Sequence, residues 1–198
     1  MSTVRARERN YSKKQAIYTL NRLRQNMNYN FYPRVESYIV NLHRKYCRDS
    51  NNNGQMFIYT NKVDISTVKA VARRAIGKVS MLMDYSLSSV NEYENLIKTD
   101  TTPYEQRYYW LYTTISYLQN LQYAINDVAN LTIGVSVGLC GDYARQVQTC
   151  IDAYNSELNS LESKIMENHE LEFLHEVKRE AEILRLQAYS GMFGNFSI

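Results

Sequence analysis

Two prolines and seven glycines are all the strong turn residues that 198 positions contain. A many-stranded β fold needs frequent turns, so a chain punctuated this sparsely is driven toward long helices with few connections. The apolar spacing agrees. Ser12 suits the cap of a first helix, in which Ala16, Ile17, Leu20, Leu23 and Met27 share one face. The stretch from Asn28 to Pro33 predicts an interruption. Pro33 then fits the first turn of a second helix striped by Val35, Tyr38, Ile39, Leu42 and Tyr46.

Asp49 to Gly54 reads as a loop, and Met56 to Thr60 as a short strand or an extended connection. From Ser66 to Lys98 a long helical pattern carries Val68, Val71, Ala72, Ile76, Val79, Met83, Val90 and Ile97. Gly77 weakens it locally and is a candidate for close helix packing. Thr102-Pro103-Tyr104-Glu105 combines an N-cap, a proline at the first helical position and a glutamate three residues after the cap. The helix it opens places Tyr108, Leu111, Ile115, Leu118, Leu121, Ile125 and Val128 on one side, with an end expected near Gly134, Gly138 and Gly141.

Val147, Ile151, Tyr154, Leu158, Leu161 and Ile165 then step by four, three, four, three, four, the spacing of a coiled-coil-like seam. Helical character extends through Leu171, Leu174, Ala181 and Leu184, and Gly191 suits a stop. The expected fold is therefore all-α, a bundle of five or six helices, several of them long. Its expected organisation is a basic N-terminal arm (1–11), a basic helical hairpin and loop (12–65), the bundle proper (66–190) and a C-terminal tail (191–198).

Charge is split along this chain. Residues 1–78 hold 16 of the 23 Lys and Arg but 4 of the 20 Asp and Glu, a net of +12. Residues 79–198 hold the remaining 7 and 16, a net of −9. Such polarity suits head-to-tail contact with copies of the same chain, docking on an acidic partner, or nucleic-acid binding. The 18 tyrosines supply large rings with polar tips, suited to half-buried positions and interfaces. Cys47, Cys140 and Cys150 are odd in number and lack metal-ligand spacing, which points to reduced thiols. The polar N-terminus gives no signal peptide, and the best apolar run, Leu131 to Cys140, is too short to span a bilayer.

Two constellations stand out as contact surfaces. Arg5, Arg7, Arg9, Lys13, Lys14, Arg22, Arg24, Arg44 and Lys45, interleaved with Tyr11, Tyr18, Tyr29 and Tyr32, form a candidate partner or nucleic-acid surface, with phosphate pairing and ring stacking as its means. Tyr108, Tyr109, Trp110 and Tyr112 put aromatic rings on every side of one helix, which then needs either a thick core or an oligomer interface; Phe193 and Phe196 in the tail join the interface set.

Other motifs are weaker. Glu172 and His175 make a single Glu-x-x-His where a di-iron bundle needs two copies, so an exposed acidic helix face is expected instead. Gly77-Lys78 lacks the upstream glycine and following Ser or Thr of a phosphate loop. Gly134 to Gly138 is a small-x-x-x-small pattern that reads as a kink or tight turn. No catalytic motif and no cofactor are implied.

A long-helix, Tyr- and Asn-rich, charge-polarised chain of this size, with an acidic helical run ending in a Tyr/Gly/Phe tail, resembles the head-to-tail connector proteins of tailed bacteriophages. The resemblance implies a non-catalytic virion protein, assembled in the host cytoplasm, that forms a homo-oligomeric ring. Its partners would be portal or tail components, with non-specific contact to packaged DNA. Alternatives are a helical nucleic-acid-binding protein using the basic N-terminal half, and a virion cargo protein ejected into the host.

Overall fold

A computed structural model describes the backbone of residues 2–48, 65–99, 101–131 and 137–193. Side chains are described for residues 12–41, 66–67, 69–99, 101–130 and 140–187. Among them the fold is all-α, as the sequence predicts. The helices are α1 (Ser2–Asn26), α2 (Tyr32–Arg48), α3 (Ile65–Leu96), α4 (Tyr104–Leu131), α5 (Val137–Asn168) and α6 (Leu171–Phe193). A π-helical turn, Met27–Phe31, joins α1 to α2 without a break, so six helices make five continuous rods.

Side-chain pairs give the topology. Arg24–Asp84 and Glu36–Arg73 run in opposite order along their elements, which makes the α1–α2 rod antiparallel to α3. Ser89–Thr114 and Lys78–Asp127 do the same for α3 and α4. Tyr108–Glu162 and Gln122–Gln148 do so for α4 and α5, and Lys13–Glu157 and Arg22–Gln146 for α1 and α5. Thus α1, α3, α4 and α5 form an up-down-up-down bundle with α1 diagonal to α4. α6 lies outside it against α4 and α5, parallel to α4, and α2 extends along α3.

The core is built largely from the stripes the spacing marks, with Leu20, Leu23 and Met27 joined by Phe31 in the first rod, Val79, Met83 and Val90 from α3, and Leu111, Leu118, Leu121, Ile125 and Val128 from α4. Val71 of the expected α3 stripe is exposed. The α5 seam supplies Val147, Ile151, Tyr154 and Ile165. Full burial of each such side chain contributes roughly 1.5–3 kcal/mol. One hydroxyl pair, Ser89 with Thr114 at 2.7 Å, satisfies both polar groups inside this apolar interface.

The π turn replaces the interruption expected from Asn28 to Pro33, for two physical reasons. Leu23, Met27, Phe31, Val35 and Ile39 recur every four residues, and in a plain α-helix each such step drifts about 40° around the axis. A π turn holds more residues per turn and takes back part of that drift, keeping all five side chains buried. Pro33 also lacks an N–H and its ring crowds the carbonyl four residues earlier; the wider turn just before it, closed by Tyr32 N–H donating to the Met27 carbonyl, relieves this.

Other boundaries differ in smaller ways. α1 begins at Ser2, so the backbone of the expected arm is helical and Ser12 is interior rather than a cap. Gly77 sits mid-helix in α3 with nothing within 4 Å of an added Cβ, so it marks no close approach. The Thr102 hydroxyl turns back to the Leu96 carbonyl at 2.8 Å, and the Arg107 guanidinium donates to the Thr99 carbonyl at 3.2 Å. The capping sequence therefore ties off α3 while α4 starts at Tyr104. Gly138 and Gly141 belong to the opening turns of α5 rather than to a helix end, and Gly191 is inside α6. Gly134, the possible strand at 56–60 and Phe196 lie outside the described residues.

Candidate docking faces

Lys13 was expected on an open basic surface. It is instead 8% exposed, at the junction of α1, α3 and α5. Its ammonium donates to Glu157 Oε1 at 3.0 Å and lies 3.9 Å from Glu94 Oε1 and 5.6 Å from the centre of the Tyr93 ring. Tyr93 donates its hydroxyl to the same Glu157 oxygen at 3.1 Å, and its ring meets Tyr154 edge-on. Burial raises the Glu94 carboxyl pKa; Lys13 opposes that rise and Glu157 adds to it. Burial, then the Glu157 charge, pushes the Tyr93 phenol far above its ordinary value. Tyr154 is fully buried, and its hydroxyl finds no protein partner.

This polar joint pins the register of the basic rod. A slip of one turn would leave the Lys13 charge buried without a carboxylate. The sequence held the signal. Lys13 continues the apolar stripe of Ala16, Leu20, Leu23 and Met27 at the same three-four spacing, so a charge was headed into the core. Glu94, four after Val90 and three before Ile97, and Glu157, three after Tyr154 and four before Leu161, carry the same spacing signal.

The outward face of α1 is different. Lys14, Arg22 and Arg24 are exposed, as are Tyr18 at 61% and Tyr29 at 81%. Arg22 stacks over the Tyr18 ring and donates to Gln146, while Arg24 pairs with Asp84. No carboxylate occurs between Arg9 and Val35. The sequence-predicted set is therefore partly brought together: Lys14, Tyr18 and Arg22 share a face, whereas Lys13 leaves it for the core. Arg5, Arg7, Arg9, Arg44 and Lys45 are on helical backbone, in α1 and α2.

The aromatic run of α4 is explained by three neighbours rather than by an open interface alone. Leu111 is buried in the bundle, and Trp110 packs against the core. Tyr108 donates to Glu162 at 3.0 Å beneath the Lys178 ammonium, which itself pairs with Glu162 at 2.8 Å. Tyr112, exposed at its edge, lies under the Arg185 guanidinium of α6. Tyr109 meets Trp110 edge-on and, with Tyr108, Tyr112, Lys178, Ala181 and Glu182, lines a cavity of about 180 Å³ between α4 and α6. Phe193 is the last residue of α6.

On the far side, the α5–α6 hairpin exposes Glu167, Glu170, Glu172 and Glu176 with the apolar Met166 and Leu171. Glu172 and His175 are both exposed on this acidic face, and no group of three or more metal-ligating side chains occurs among the described residues. Nor is any helix among them long and apolar enough to cross a membrane. No protein-family model, curated protein or solved structure matches the chain.

Proposed function

We propose that this chain is a non-catalytic structural protein that assembles side by side with copies of itself, as a ring subunit at the head-to-tail connection of a tailed-phage particle. One observation carries the reading: the charge split of the sequence becomes a split between flanks of the folded bundle. The α1–α2 rod holds eleven basic and two acidic residues, a net of +9, whereas α5 through α6 hold five basic and ten acidic, a net of −5. Glu157 faces α1, but Glu162 faces α6, so α5 separates the two flanks. Opposite charges on different flanks of one subunit favour a heterologous contact, which closes into a ring when the rotation allows. The portal or tail neighbours are inferred from the connector resemblance.

Electron microscopy of nuclease-treated protein tests this. Closed rings of uniform diameter are expected; particles that remain single, or open filaments, would contradict a ring subunit. A second reading is favoured by Tyr18 of α1 and Tyr29 of the π turn, both exposed within the carboxylate-free basic stretch between Arg9 and Val35. Phosphate pairing and base stacking there would give sequence-tolerant nucleic-acid binding. That reading requires affinity for a labelled oligonucleotide that falls steeply with salt.

A further inference from the structure

The groove between α5 and α6 has no counterpart in the reading of the sequence. Asn159, Glu162, Ser163, Met166, Glu167 and Leu174 line it, a broad and largely open depression of about 500 Å³. Its apolar lining is Leu174, which is buried, and Met166, which is 43% exposed. Its rim is acidic, with Glu167 in the wall and Glu170 and Glu172 on the adjoining turn. Two tasks are combined there: covering a thioether and an isobutyl group, and neutralising several carboxylates.

We propose that this groove seats the Lys14–Tyr18–Arg22 face of α1 from a second copy of the chain, an inference that rests on the self-assembly reading above. The three residues are spaced four apart and so share one face over about 12 Å. Tyr18 offers Met166 and Leu174 a rigid aromatic anchor with favourable contacts to a methionine sulfur. Lys14 and Arg22 flank it on either side and reach the carboxylates of the rim. Arg22 spends one guanidinium nitrogen on Gln146, and its other donors are available to a neighbour.

The contact is between copies because the chain cannot fold back to make it. Lys14 lies beside Lys13, which meets Glu157 within a turn of the groove, but Ala16 and Arg22 lie level with Cys150 and Gln146 of α5, about 14 Å or more from the groove's start at Asn159. The wall of the groove on α5 includes Glu162, which meets Lys178 of α6, whereas Glu157, on another side of α5, meets α1. Each subunit thus carries one donor face and one acceptor groove at different places, the requirement for heterologous propagation.

The test uses two full-length variants, one with Lys14→Glu and Arg22→Glu, the other with Glu167→Lys and Glu170→Lys. All four positions are exposed, and a thermal melt of each variant checks that the fold survives. Each alone is expected to be monomeric by sedimentation velocity at concentrations where the wild type assembles. Mixed in equal amounts, the intact face meets the intact groove and the reversed face meets the reversed groove, so assembly should return. Tyr18→Ala, which alters no charge, should weaken wild-type assembly at least tenfold. If the wild type assembles and either charge variant or Tyr18→Ala assembles equally well, the groove is overturned while self-assembly stands. If the wild type remains a monomer, both fall.

Discussion

Lys13 shows how much one side chain can decide at the junction of three helices. With its ammonium between Glu157 and Glu94, replacing it by methionine keeps the packed stem but strands two carboxylates in a partly buried site. Lys13→Met should cost about 2 kcal/mol in urea denaturation, less than a fully buried pair because both glutamates keep some solvent. Adding Glu157→Gln should recover part of that loss, and the double-mutant cycle isolates the pair. Glu94 has the opposite logic. Its folded carboxyl holds a proton more tightly than the unfolded chain does, chiefly through burial. The folded state therefore binds more protons, and the stability conferred through Glu94 falls as pH rises from the ordinary carboxylate range through its raised folded value. Glu94→Gln should accordingly be at least as stable as the wild type at neutral pH, an advantage that shrinks on acidification. Melting both proteins across that range checks the sign; a gap that widens as pH falls would contradict it.

At the scale of the element, the helices were legible, with the ends of α3 and the start of α4, while the α1–α2 junction and the glycine-marked ends were not. The four-three spacing of Val147 through Ile165 placed α5 and its buried face, since periodicity reports burial directly. Asn28 to Pro33 misled because local residue chemistry favours a turn there, while the apolar run of Met27, Phe31, Val35 and Ile39 needs the rod to continue; tertiary packing won, through a π turn. Gly77 misled in the other direction. A glycine inside a long helix suggests a close neighbour, yet the space around it is open. Gly77→Ala should thus stabilise the protein by up to about 1 kcal/mol, because an added methyl meets nothing and the unfolded chain loses freedom. A lowered urea midpoint would mean that something covers that face. Of the docking faces, the basic stripe of α1 was visible in the sequence. The groove was not, because Asn159, Met166 and Leu174 come from two helices whose approach no local pattern encodes.

For the whole molecule, the charge asymmetry of the sequence survives folding because the α1–α2 rod carries a net +9 and the α5–α6 hairpin, whose second helix lies outside the bundle, a net −5. Internal pairs such as Arg24–Asp84 and Lys78–Asp127 neutralise some of it along the α3 seam, but the outer face of α1 and the α5–α6 turn remain uncompensated. Surface charges of this kind contribute orientation and encounter rate more than affinity, so apolar anchors must do the holding. The exposed Tyr18, Met166 and Leu171 are placed for that task. The most direct measurement is the native mass of the purified wild-type chain by light scattering, before and after nuclease treatment. The account predicts a discrete assembly of several subunits whose mass is unchanged by nuclease. A protein that is monomeric after treatment, and heavier before it only through bound nucleic acid, would contradict the account and give the basic face of α1 to phosphate instead.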